Sequence, residues 1–96
     1  MRYFHRTSIP IDGVLAEADR FLGARLEQVH ADTKRRTFSG TMGTISVRVE
    51  AEGGHYTLIT VTTDQVGESE ADKLAKRFLA TVHQQVHPEH EVKGAY

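Results

Sequence analysis

The sequence has no cysteine and only two prolines among its 96 residues. Without cysteine the chain forms no disulfide, has no thiolate nucleophile and offers no cysteine ligand to zinc. No stretch approaches the roughly 20 apolar residues that a membrane-spanning helix needs. The length matches one domain with a modest core, so we expect a single domain over residues 1–96.

An excess of one charge is also missing, since 12 Lys and Arg stand against 13 Asp and Glu. The formal net charge of -1 gives no overall attraction to nucleic acid or to anionic membranes. The start, "MRYFHRTSIPIDG", is polar and has no apolar signal-peptide core. We therefore expect a cytoplasmic location.

Alternating side chains predict five strands. The clearest pattern lies in "TISVRVEA", where Ile45, Val47 and Val49 share one face and Ser46 and Arg48 the other. The segment "HYTLITVTT" is rich in β-branched and aromatic residues, which favour strands. The predicted strands cover residues 2–8, 25–31, 35–40, 44–51 and 55–63.

Apolar residues at helical spacing predict two helices, one over about residues 12–23 and one from Ser69 to near His87. Asp12 is a candidate cap for the first helix. Ser69-Glu70-Ala71-Asp72 resembles a capping box for the second, with Asp in place of Glu or Gln. Pro88 is expected to end the second helix.

The order β-α-β-β-β-β-α predicts an α+β fold, a curved antiparallel sheet with two helices packed on one face. This order resembles a single copy of the TATA-binding-protein-like repeat. It is also similar to a shortened helix-grip domain of the START and polyketide-cyclase type. In that comparison "TSIPIDGVLAEA" is the first strand, loop and short helix, and "SEADKLAKRFLATVHQQV" the long C-terminal helix.

The face of the sheet away from the helices is the expected functional surface. A two-residue turn at Gly53-Gly54, which this dipeptide favours, places Ile59 and Val61 there. A three-residue turn flips the strand and places Tyr56 and Leu58 there instead. In both registers two sizeable apolar residues face outward. We interpret the chain as an interaction or binding domain, a homodimer or subunit that uses this face for association or for an apolar ligand. The predicted interface or ligand residues are Tyr56, Leu58, Ile59, Val61, Arg48, Tyr3 and His5.

A second hypothesis is a helix-grip-type binder of small molecules, with a pocket between the sheet and the C-terminal helix. Its predicted lining residues are Phe21, Leu74 and Phe78. An enzyme is a lesser alternative, with His5 or His30 as a base in a small pocket. No Ser/His/Asp order or metal triad stands out, and no cofactor is expected.

Three histidines in "TVHQQVHPEH" suggest a metal site as another lesser alternative. His83 and His87 have the i, i+4 spacing that presents two imidazoles to one metal, and His90 would supply a third ligand. Both helical positions lie at the border or solvent side of the apolar stripe. We therefore favour a solvated helix end, where histidines suit the C-terminal dipole.

The basic run "TKRRTF" suggests a last alternative, which is nucleic-acid binding on the sheet. Arg6, Arg25 and Arg48 are candidates for the same sheet. Alternation, however, places Arg35 on the face opposite to Lys34 and Arg36. With a net charge of -1, this split favours a solvated edge hairpin that its cations protect from aggregation.

Overall fold

The computed structural model describes residues 1–86, so the predictions for Pro88, His87 and His90 lie outside the described residues. Over these residues the chain forms five strands and two helices, and their order confirms the predicted one. The elements are β1 (Arg2–Thr7), α1 (Ile11–Phe21), β2 (Glu27–Ala31), β3 (Arg35–Gly40), β4 (Gly43–Glu52), β5 (Tyr56–Thr63) and α2 (Glu70–Val86).

The strands form one open antiparallel sheet in the order β1-β5-β4-β3-β2. β1 and β2 are therefore the two edges, and the first and last strands of the chain are neighbours. α1 packs on β3 and β4, while α2 packs on β1, β4 and β5 and also contacts α1. The expected α+β fold with an antiparallel sheet is confirmed. Within residues 1–86, neither helix combines the length and apolarity needed to cross a bilayer.

The core lies between the helices and the alternate residues of the three central strands. Ile45, Val47 and Val49 of β4 are fully buried, as the alternation predicts. Glu17 is an exception to the helix pattern, because it is a charged residue and yet is buried. Its carboxylate accepts hydrogen bonds from Arg20 and from Gln85 on α2, and so joins the two helices.

The hairpin between β4 and β5 has three loop residues, since Glu52 pairs with Tyr56. The two-residue turn that we favoured at Gly53-Gly54 is therefore wrong. Both glycines have positive φ, 64° and 76°, and side chains resist that conformation. Val49 pairs with Ile59, so the core buries this pair.

Ile59 and Val61 were predicted on the open face, and the structure corrects both placements. Each is fully buried against the helices. The physical reason is that the observed register buries more apolar surface. The register with a two-residue turn would move both β-branched side chains into water. Tyr56 and Leu58 take the outward positions instead.

The helix starts differ in how they are capped. The Asp72 amide donates to Ser69 Oγ at 3.1 Å, as a capping box requires. The Asp72 carboxylate accepts from the Glu68 amide at 3.1 Å, one residue before the expected donor. The prediction that Asp12 caps α1 is wrong, because Pro10 is the N-cap residue and no side chain caps it. Asp12 lies in the first turn instead.

Candidate functional site

The open face of the sheet is built from the residues that alternate with the core. Strand pairing arranges them in rows that cross the sheet. One row runs Phe4, Thr60, Arg48, Arg35 from β1 through β5 and β4 to β3. The next row runs Arg2, Thr62, Ser46, Thr37 over the same strands. Cations and hydroxyls thus dominate the centre of the face.

Arg35 and Arg48 are direct cross-strand partners on this face. Like charges directly opposite each other destabilise a sheet. Both side chains are exposed, which lets water reduce the repulsion. Two arginines paired in this way do not stabilise the sheet. Local arrangements that do not favour the fold occur at functional sites.

A cleft of about 440 Å³ lies over these rows. Three arginines surround it, its floor presents hydroxyl groups, and one aromatic ring stands at its β1 side. Glu50 is the one carboxylate among the residues that line it. The lining residues are Arg2, Phe4, Arg35, Ser46, Arg48, Glu50, Thr60 and Thr62.

The arginines of the cleft differ from other arginines of the chain in their partners. Arg6 pairs with Glu52, and Arg20 pairs with Glu17. Arg36, behind the sheet, bonds Asp19 at 3.0 Å. Over residues 1–86, no carboxylate pairs with Arg2, Arg35 or Arg48. Within the described residues, the three arginines that line the cleft therefore have no ion-pair partner.

Apolar groups occupy the β1–β5 side of the same face. Phe4 is 58% exposed and Tyr56 is 56% exposed. Leu58 is half-buried between them and pairs with Arg6 of β1 and Glu50 of β4. Among the predicted interface residues, Tyr56, Leu58 and Arg48 lie on the open face.

Tyr3 was also predicted as an interface residue, but it lies under α2. Its hydroxyl donates to the buried carboxylate of Asp72, which pairs with Lys76 Nζ at 3.0 Å. The Lys76 ammonium lies 5.4 Å from the centroid of the Tyr3 ring. The hydrogen bond to Asp72 raises the pKa of Tyr3, and burial raises it further. These contacts fasten β1 to α2, which gives Tyr3 a structural role.

His5 lies on the same side as Tyr3 and meets His83 of α2, with ring centroids 5.9 Å apart. Both line a cleft of about 270 Å³ with Arg6, Ser8 and Tyr56 at the β1 edge. Burial lowers the pKa of His5, and the neighbouring His83 lowers it further. His5 and His83 therefore line one cleft together at the β1 edge of the sheet.

The predicted metal site falls largely on His87 and His90, outside the described residues. Within residues 1–86, no three His, Asp or Glu side chains are grouped as a metal ion requires. His30 lies on the other edge strand, where its Nε2 is 3.1 Å from Asp32 Oδ2. The structure thus separates His5 from His30.

Leu74 and Phe78, predicted to line a pocket, are buried in the core. Phe21 is partly buried beside them, with its ring centroid 6.4 Å from that of Phe78. None of these three residues lines either of the two clefts described above. Of the basic run, Arg35 faces the cleft and Arg36 the opposite side, as alternation predicts.

Sequence reasoning did not single out Arg2 and Phe4. Because Arg2 and Phe4 alternate with Tyr3, the sequence shows that they share a face. It does not show which residues of other strands lie beside them. The neighbours of Arg2 and Phe4 depend on the pairing of β1 with β5, two strands that lie far apart in the sequence.

No family model, curated protein sequence or solved structure matches this chain. The resemblance to TATA-binding-like repeats and helix-grip domains therefore stays a prediction from element order.

Proposed function

We propose that the chain is a binding domain that receives an anionic ligand on the open face of its sheet. The observation that carries this proposal is the set of three arginines around one cleft, each without a carboxylate partner over residues 1–86. Guanidinium groups form strong paired hydrogen bonds with carboxylate and phosphate oxygens. A ligand of this chemistry relieves the repulsion between Arg35 and Arg48.

Binding suits this cleft better than catalysis does. Glu50 is the one carboxylate of its lining, and the other ionisable groups are arginines. General acid–base chemistry calls for a group with a suitable pKa next to the reacting atoms, commonly a histidine or a second carboxylate. The histidine pair of the β1 edge belongs to a different cleft.

The first prediction concerns the arginine pair. Replacing both Arg35 and Arg48 with glutamine is expected to weaken binding of tripolyphosphate at least about tenfold, since each charged hydrogen bond contributes roughly 1.5–3 kcal/mol. Glutamine retains polarity and removes the charge. Affinity is measured by calorimetry, and amide shifts in a ¹⁵N spectrum report where the anion binds.

The matched control is Arg77→Gln, an exposed arginine on α2. It removes one positive charge, against two in the double variant, from the other side of the molecule and is expected to leave the affinity unchanged. Equal binding by the wild type and the double variant, or shifts spread over α2 rather than β3 and β4, would contradict the proposal.

The exposed aromatic rings favour a second candidate function, self-association through the β1–β5 side of the open face. Phe4 and Tyr56 each expose more than half of their surface, and Leu58 lies between them. Large apolar groups gathered on one face are typical of surfaces that a partner covers. Two-fold pairs are the commonest oligomers, and a second copy is the simplest occupant.

This second candidate predicts a concentration-dependent dimer in sedimentation velocity. Tyr56→Ser is expected to shift the dimer dissociation constant upward about tenfold, as removal of a central interface aromatic does. His55→Ser, on the exposed loop beside it, serves as the control. A wild type that sediments as a monomer at high micromolar concentration would exclude this candidate and leave the anion site unaffected.

A further inference from the structure

Phe4 stands in the same cross-strand row as the arginine pair. Its partner is Thr60 on β5, and Thr60 pairs in turn with Arg48 on β4. The ring is 58% exposed although Phe is among the residues most often buried. It lines the same cleft as the guanidinium groups. An exposed ring at this position offers a flat apolar surface to whatever the arginines bind.

The spacing in this row favours a ligand with two chemically different ends. Adjacent strands lie about 4.8 Å apart, so the Cα atoms of Phe4 and Arg48 are separated by about 10 Å. Arg35 lies one strand further away. A molecule that spans the cleft therefore meets the Phe4 ring at the β1 end, with Arg2 two residues away on the same strand, and two guanidinium groups at the other end.

The floor between these ends is polar. Thr60 and Thr62 of β5 and Ser46 of β4 place hydroxyl groups there. Glu50 follows Arg48 on the same face and adds a hydrogen-bond acceptor. The Glu50 carboxylate weakens the attraction of the cleft for a bare polyanion without cancelling it, since three arginines line the cleft against one carboxylate. A ligand whose middle part carries hydroxyl or amino donors fits this lining better.

Together these features lead us to propose that the ligand is a nucleoside phosphate. Its base stacks on Phe4, its sugar hydroxyls lie over the threonine and serine hydroxyls, and its phosphate is held by Arg35 and Arg48. Stacking of a base on an aromatic side chain is favourable for every base, because each has a π-face. This inference rests on the anion-binding function proposed above and adds the class of ligand.

The experiment compares three probes that divide the ligand into its parts. Adenosine 5′-monophosphate has both ring and phosphate, ribose 5-phosphate lacks the ring, and adenosine lacks the phosphate. We expect the nucleotide to bind about tenfold more tightly than ribose 5-phosphate, from the stacking contribution of one base. Calorimetry gives the affinities, and amide shifts of β1 report on the ring.

Phe4→Leu is the informative variant, because leucine is also apolar but offers no ring. It is expected to remove the tenfold preference for the nucleotide and to leave the affinity for ribose 5-phosphate unchanged. Tyr56→Leu is the control, since Tyr56 is an equally exposed aromatic of the same face that does not line this cleft. It is expected to keep the preference.

The outcomes separate this inference from the function on which it rests. If ribose 5-phosphate and the nucleotide bind equally to the wild type, or Phe4→Leu keeps the preference, the ligand class is wrong while the anion site stands. If adenosine 5′-monophosphate, ribose 5-phosphate and tripolyphosphate all fail to bind, the proposed function is itself wrong. Thermal unfolding of each variant checks that the fold is retained.

Discussion

Replacing Asp72 with alanine is expected to lower the free energy of unfolding by about 3–5 kcal/mol, the usual result of removing one partner from a buried ion pair. The carboxylate is fully buried. It holds Lys76 Nζ at 3.0 Å, the Glu68 amide at 3.1 Å and the hydroxyl of Tyr3. Alanine leaves these donors without an acceptor at the junction of β1 and α2.

Denaturant unfolding followed by circular dichroism measures this loss. Asp12→Ala is the matched control, because Asp12 is also an aspartate in the first turn of a helix but is exposed. Its expected cost is below about 1 kcal/mol, the size of a surface helix-dipole interaction. Similar losses in the two variants would show that Asp72 acts only through the helix dipole.

The pH dependence provides an independent check. Burial acts to raise the pKa of Asp72, but hydrogen bonds from Tyr3, Lys76 and the Glu68 amide outweigh it and lower the pKa. A carboxylate with a lowered folded pKa stabilises the protein above its unfolded pKa, about 3.9. That stabilisation is lost as the pH falls through the folded pKa. Below about pH 4 the wild type should therefore approach Asp72→Ala in stability.

The fold was predictable because its signals are local. Each helix has an apolar stripe at helical spacing, and from Ile45 to Glu50 β4 alternates between buried and outward side chains. These periodicities assign the face of each residue without knowledge of its neighbours. Boundaries were less predictable, as α1 begins at Ile11 without a side-chain cap. A proline N-cap leaves no polar side chain to mark that start.

The candidate site was less predictable because it depends on contacts between distant strands. Arg35 and Arg48 belong to one hairpin, but alternation gives only the relative faces within each strand, and the register of the hairpin sets the two residues side by side. Arg2 and Phe4 join them through the β1–β5 pairing, which no local pattern specifies. The net charge of -1 also concealed the site, since carboxylates elsewhere balance the arginines gathered around one cleft.

Buried polar groups were the other feature that periodicity missed. Glu17 and Asp72 are charged helix residues, yet both are buried by partners on other elements. Their burial depends on Gln85 and Tyr3, which lie far away in the sequence. Such partners cancel most of the desolvation cost that would otherwise keep a carboxylate at the surface.

The second large effect is expected at Ile59, where alanine should cost about 2–5 kcal/mol, the usual range for a core isoleucine. The side chain is fully buried and pairs across the sheet with Val49. Leu58→Ala on the neighbouring residue should cost about 1 kcal/mol or less, since half-exposed sites lose little on truncation. Both variants remove a similar volume from the same strand, so the difference between them isolates burial.

The comparison also decides the register of the hairpin. A two-residue turn at Gly53-Gly54 buries Leu58 and exposes Ile59, and it predicts the reverse order of the two losses. Denaturant unfolding of both variants measures which one loses more stability. The comparison is valid when the dependence of the unfolding free energy on denaturant concentration is the same in both. A larger loss for Leu58→Ala would overturn the three-residue loop. It would also put Tyr56 under the helices and move Thr60 and Thr62 out of the cleft, because the whole strand turns over together.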